Sequence, residues 1–259
     1  MKKDHTFQSL KALLDSKADQ YNHPDFIPTD PIQIPHLFSR KEDIEIMGFL
    51  IATIAWGNRK SIITNGYRLV DLMKNDPYSF ILNYQEQPIT FVHRTFNEID
   101  LNAFFVSLHR IYTSRNSLES CFQLEDNQIG MLQRIVNFRN QFTLDPFPSR
   151  TQKHISNPLK GAAAKRINMF LRWMVRADEA GVDFGIWKSI PMSELLLPLD
   201  VHTGNVARAL GLLTRTQDDW KSVMEIHEQL IQFDPVDPCK YDFALFGIGA
   251  FEGSLTKTH

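Results

Sequence analysis

The 259-residue chain has only two cysteines, Cys121 and Cys239, more than a hundred positions apart. That excludes a disulfide framework and any Cys-x-x-Cys metal or redox motif, and leaves both as buried thiols. The nine histidines include no His-x-x-x-His pair or other tight ligand spacing, so neither a metal nor a cofactor is expected. No charge-free apolar run approaches the roughly 18 residues of a membrane span, and the opening Met1-Lys2-Lys3-Asp4-His5 has none of the apolar stretch of a signal peptide. A cytoplasmic location away from membranes is the expectation. The net charge of −2 also lacks the basic surplus usual in proteins that neutralise several phosphates.

What is present is a core. With 43% apolar and 22% charged residues, the chain can bury one large domain or two smaller lobes. No period-2 run bounded by hairpin turns stands out, and no internal repeat, so an all-α helical array is expected. The charge is unevenly spread. Positions 132–176 carry Arg134, Arg139, Arg150, Lys153, Lys160, Lys165, Arg166, Arg172 and Arg176 against Asp145 alone. Such a run reads either as a solvated helix face or as a surface for phosphates.

Phe7, Leu10, Leu13, Leu14 and Tyr21 follow helical spacing over residues 7–22. Pro24, Pro28, Pro31 and Pro35 then space an extended connector. Ser39 three residues before Glu42 has the form of a capping box, opening a helix through Ile46, Phe49, Leu50 and Ile54 that is apolar nearly all round and therefore central. After Gly57-Asn58, a second helix runs through Ile62, Ile63, Leu69, Val70 and Met73. Helical patterns follow at about 78–84, 101–113, 117–123 and 128–140, then a loop to Pro158 and a basic helix at about 160–177. Asp200 precedes a helix ending near Gly211. Thr216 with Asp219 opens another carrying Trp220, Val223, Met224, Leu230 and Ile231, and Asp237-Pro238 opens the last. Residues from Gly253 onward read as a flexible tail.

Two segments could carry chemistry. In the first, Pro158-Leu159-Lys160-Gly161-Ala162-Ala163-Ala164-Lys165, small residues feed a helix whose Ile167, Phe170, Leu171 and Met174 face the core. Lys165, Arg172 and Arg176, at i, i+7 and i+11, are expected on the opposite face with Trp173 beside them. Small residues let backbone amides approach a phosphate, and a first helical turn offers unpaired donors. The same pattern also describes an ordinary helix start on a packed alanine patch. In the second, Leu199-Asp200-Val201-His202-Thr203-Gly204-Asn205-Val206-Ala207-Arg208, the carboxylate ahead of a helix caps it. A fixed anion of this kind can also stabilise positive charge developing on a sugar as its glycosidic bond breaks.

The Asp200 segment is similar to the Val-Asp-Thr-His-Val-x-Arg signature of the helix-hairpin-helix DNA glycosylases, the superfamily of endonuclease III and the archaeal 8-oxoguanine glycosylases. Gly161-Ala162-Ala163-Ala164-Lys165 resembles a degenerate form of the hairpin Leu-Pro-Gly-x-Gly-x-Lys, with Gly161 and Ala163 on the two glycines and Lys165 on the lysine nucleophile. The helix ending at Ala55-Trp56-Gly57-Asn58 resembles the early family helix that ends in Ser-Ala-Gln, and Phe243 to Ala250 the late Trp-Leu-Ile-x-His-Gly-Arg helix. The resemblance covers about 44–250. The chain also resembles a bacterial family of conserved proteins of unknown function. Departures are Gly-x-Ala for Gly-x-Gly, Arg166-Ile167 for the usual Thr-Ala, no four-cysteine cluster, and an insertion over 177–198 that brings the spacing nearer to the archaeal enzymes.

The resemblance implies a two-lobed array, with one lobe over about 41–176 and the other over 7–22 plus 200–252. It further implies a DNA partner whose damaged base flips into the cleft between the lobes. Lys165 and Asp200 would be the catalytic pair, removing the base and, through a lysine Schiff base, cleaving at the abasic site. Lys160, Gly161, Ala163, Arg166, Arg172 and Arg176 would contact DNA. Trp56, Asn58 and His202 would line the base pocket or wedge the duplex, while a packed Trp and a locally hydrogen-bonded His are the structural alternatives. Two other functions fit the residues: a non-catalytic nucleic-acid-binding module, and a small-molecule or protein groove lined by Phe104, Phe105, Phe246 and Phe251.

Overall fold

The structure, a computed structural model, describes residues 6–144 and 146–252; the tail expected at 253–259 lies outside the described residues. The protein is all-α, with one two-residue hairpin as its strand content among the described residues. Two compact units divide it: residues 27–159, and residues 1–26 with 160–259. The lobe expected over about 41–176 therefore runs across the boundary at residue 160.

The proline-spaced connector is not extended. It winds into 3-10 turns at Pro24–Thr29, Pro31–Gln33 and Pro35–Leu37, because a fixed φ near −65° suits the first position of a helical turn as well as an extended chain. Asp30 caps the second of them, accepting from the Ile32 amide at 3.0 Å.

In the 27–159 unit, α2 (Lys41–Ile54) is buried continuously from Asp43 to Ile54. The Ser39–Glu42 capping box does not form: the cap is Arg40, without a side-chain bond, and Glu42 pairs with the Arg40 guanidinium at 3.3 Å. Around α2 stand α3 (Arg59–Leu72), α4 (Pro77–Leu82), α5 (Glu98–Arg115) and α6 (Gly130–Phe142). Residues 118–122 form a 3-10 turn rather than an α-helix. Phe49 of α2 stacks on Phe104 at 5.6 Å and meets Phe138 and Phe142 edge-on at 5.3 and 5.0 Å, so each ring contributes on the order of 2–3 kcal/mol by burial. Phe104 and Phe105 are fully buried, so these two rings are core and line no open groove. The Glu45 carboxylate, buried on α2, is satisfied by the Tyr112 hydroxyl (2.7 Å), the Ser117 hydroxyl (2.8 Å) and the Leu118 amide (3.1 Å). The hairpin of β1 (Val92–His93) and β2 (Phe96–Asn97) is too short to show a period-2 pattern.

In the other unit, α1 (Phe7–Tyr21) packs along α10 (Tyr241–Gly247), with the Tyr241 hydroxyl donating to Asp15 at 2.8 Å. Between them in sequence come α7 (Lys165–Val175), α8 (Val201–Ala209) and α9 (Trp220–Phe233). Asp219 alone caps α9, accepting from the Ser222 amide at 2.9 Å; Thr216 takes no part, since Asp219 is the residue directly preceding the helix.

The strongest constraint in this unit is ionic. Arg172 on α7 and Arg176, which directly follows its last residue, are 5% and 2% exposed. Arg172 bonds Asp183 at 3.2 Å and Asp242 on α10. Arg176 bonds Asp183 (3.2 Å), Asp178 (2.7 Å) and Asp237 (2.9 Å). Both guanidinium groups lie against the Phe243 ring, at 4.4 and 5.3 Å. Deleting one member of such a set strands its partners as uncompensated buried charges. Arg172→Ala is expected to cost about 3–5 kcal/mol in urea unfolding; a loss below about 1 kcal/mol would show that the buried carboxylates do not depend on it.

Candidate active site

The segment from 158 to 165 is a compact turn. A 3-10 turn at Pro158–Lys160 leads to Gly161, whose φ of +84° suits glycine. The Gly161 carbonyl accepts from the Trp220 amide at 2.9 Å, and Ala162 bridges to Asp219, so the turn is fastened to the start of α9. Ala164 also takes a left-handed backbone, φ +53°, at a cost of roughly 1–2 kcal/mol for a residue with a Cβ. It is 2% exposed, and its methyl group is buried at the point where α7 begins. The Ala163 carbonyl accepts from Asn168 Nδ2 at 3.1 Å.

The turn delivers Lys165 to Asp200. Lys165 Nζ stands 2.7 Å from Asp200 Oδ2, with side-chain exposures of 35% and 29%. Asp200 caps α8, its other oxygen accepting from the Thr203 amide at 3.0 Å. Burial by itself would push the Asp200 carboxyl up. The charge and hydrogen bond of Lys165, then the Thr203 amide, outweigh it and hold the carboxyl below its ordinary value of 3.8. The pair is thus an ionised carboxylate and an amine in direct contact, half-open to solvent, each at the first turn of a different helix.

The other expected site residues separate into groups. Lys160 and Gly161 are exposed, and Ala163 and Arg166 half-buried, in the same turn as Lys165. Burial pushes the Arg166 guanidinium down to about 10. Arg172, Arg176 and Trp173 do not lie on an outer face with Lys165. The two arginines face inward to carboxylates, and Trp173 is fully buried. An assignment of Arg172 and Arg176 to DNA is therefore corrected, because their charge is already neutralised inside the unit. His202 is exposed beside Asp200; the local hydrogen bond expected of it is not made among the described residues.

In the 27–159 unit, Trp56 is half-buried, edge-on to His93 at 5.1 Å and stacked near His154 at 5.9 Å. Asn58 is exposed and caps α3, accepting from the Ser61 amide at 3.2 Å.

Asp242 is the nearby residue that sequence reading passed over. It is buried, its carboxyl pushed up to about 6 by burial against the pull of Arg172, with the charge of Asp200 among the lesser contributions. The available signal was the arginines themselves: Arg172 and Arg176 flank the apolar Trp173-Met174-Val175, where a cation requires a buried partner.

These features define an all-α protein with a lysine–carboxylate pair held at two helix starts. Residues 30–251 match the family described as "Protein of unknown function (DUF2400)", and the chain belongs to that family. No curated protein and no solved structure matches it.

Because the Asp200 carboxyl is lowered on folding, its ionisation stabilises the fold above 3.8, and the contribution is lost as pH falls through the lower folded-state value. Asp200→Asn keeps a good cap and removes the charge. Its destabilisation, expected to be up to about 1 kcal/mol at neutral pH for so open a pair, should fade toward zero in urea titrations taken down to about pH 3. An unchanged difference across that range would show that the carboxylate charge contributes nothing.

Proposed function

We propose that the protein is a base-excision DNA glycosylase with abasic-site lyase activity, acting through Lys165 and Asp200. The observation that carries this reading is the 2.7 Å contact between the two side chains: an amine and a carboxylate 35 positions apart in sequence are brought together. The resemblance of both segments to the helix-hairpin-helix glycosylases gives the pair its chemistry.

In this mechanism the Lys165 amine, having given up its proton to water, attacks C1′ of the deoxyribose while the Asp200 carboxylate stays ionised. The C1′–N bond breaks, and its electron pair leaves with the base, which takes up a proton. Asp200 stabilises the positive charge on the sugar while that bond is stretched. Ring opening gives a Schiff base between Nζ and C1′, from which loss of the C2′ proton expels the 3′ phosphate, and water then releases the amine. The groups that support the strand at this site are Lys160, the exposed Gly161 backbone and Arg166. Under this reading the protein works in the cytoplasm, on DNA, with no metal.

Borohydride reduction in the presence of duplexes carrying an abasic site or one of a panel of damaged bases tests it. A covalent protein–DNA adduct is expected with the native chain and with Lys160→Ala, and none with Lys165→Ala. Absence of an adduct on every substrate, or an adduct undiminished in Lys165→Ala, would overturn the assignment.

A further inference from the structure

The basic run at 132–176 does not furnish one continuous cationic surface. Besides Arg172 and Arg176, Lys165 pairs with Asp200, Arg150 with Asp100 at 3.2 Å, and Arg134 is buried with Nη1 on the Phe122 carbonyl at 3.3 Å. A different group of cations is exposed and holds no carboxylate among the described residues: Lys60, Arg68 and Arg94.

These three share one surface of the 27–159 unit. On α3, Lys60, Thr64 and Arg68 follow one another at i, i+4 and i+8 and are all exposed, while Ile62, Gly66, Leu69 and Val70 are buried on the other side of the helix. Arg94, at the tip of the β1–β2 hairpin, lies across the backbone of Gly57 just ahead of α3: a Cβ at Gly57 would sit 2.4 Å from its guanidinium. Gly57, at φ +96°, keeps that approach open. A chain of bonds ties α3 to the hairpin. Arg68 donates to Asn65 at 3.0 Å, Asn65 meets His93 at 2.9 Å, and His93 Nε2 meets the Trp56 carbonyl at 3.2 Å. Residues 55–70 contain no Asp or Glu, and neither do residues 88–97.

We infer that Lys60, Arg68 and Arg94 form a contact surface for the phosphodiester backbone of a duplex nucleic acid. Exposed cations on α3 and at the neighbouring hairpin tip, without carboxylate partners among the described residues, suit a polyanion, and each phosphate neutralised releases condensed counterions. Asn58, Ser61, Thr64 and Thr95 are exposed around them, and Tyr67 and Val92 are the large apolar side chains exposed on the same two elements, a mainly polar setting that favours a strand over a lipid surface. The identity of the partner rests on the proposed function, whereas the surface itself involves neither Lys165 nor Asp200.

The test is equilibrium binding of a fluorescent DNA duplex across about 50–200 mM salt. It compares the native protein, Lys60→Ala, the triple variant Lys60→Ala/Arg68→Ala/Arg94→Ala, and Lys221→Ala as a single exposed cation elsewhere. The triple variant is expected to bind at least about tenfold more weakly, with the slope of log K against log salt shallower by about 2–3. Lys60→Ala, which removes no side-chain hydrogen bond or ion pair among the described residues, should account for about a third of that change, and Lys221→Ala for none. Native affinity and slope in the triple variant would overturn the inference, and so would a loss confined to binding of anionic phospholipid vesicles. Loss of binding in the triple variant alongside failed borohydride trapping by the native protein would leave the surface standing and remove the lyase reading. Full binding by the triple variant with trapping intact would do the reverse.

Discussion

Two arginines one helical turn apart organise the unit that contains the candidate site. Arg172 and Arg176 together engage carboxylates on three separate segments: Asp178 and Asp183 in the chain after α7, Asp237 before α10, and Asp242 within it. Buried ionic sets of this kind contribute less to stability than a hydrophobic filling of equal volume, but removing one member is costly. What they impose is position. A planar guanidinium accepts its partners in a narrow range of directions, so the roll of α7 about its axis and the placement of α10 are fixed together. Lys165 at the start of α7 and Asp200, whose helix packs on α10, inherit that placement.

The same ionic set changes how the charge along the chain is understood. A stretch that looks strongly basic in sequence has two of its cations neutralised in the interior, and the chain's modest net charge conceals a surface on α3 and the hairpin where cations have no carboxylate partner among the described residues. The candidate chemistry therefore rests on one half-open pair, Lys165 and Asp200, rather than on a broad positive face around them. An electrostatic approach by a polyanion is more naturally supplied by Lys60, Arg68 and Arg94.

Several features were legible because a single local rule governs them. Asp200 caps its helix, α2 is buried on all sides, and both cysteines are buried; each follows from side-chain chemistry or from apolar spacing over many residues. Others depended on competition that sequence does not display. Ser39 and Glu42 had the spacing of a capping box, but Glu42 had Arg40 as a nearer partner. The prolines fixed φ without deciding between extended chain and 3-10 turns. Arg172 and Arg176 lay on the polar side of a helical wheel, yet their partners come from up to 70 residues away, and only the tertiary arrangement turns that side inward. The left-handed Ala164 had no signal at all, since glycine is the residue that usually marks such a backbone.

The central claim is that Lys165 and Asp200 act as one catalytic unit, and single-turnover rates on an abasic-site duplex test it most directly. The comparison is of native protein, Lys165→Gln, Asp200→Asn and the double variant. Groups that serve one transition state lose nearly everything when either is removed, so the double variant is expected to be no slower than the more damaged single one. Losses that multiply in the double variant, or a native rate retained in either single variant, would contradict the account.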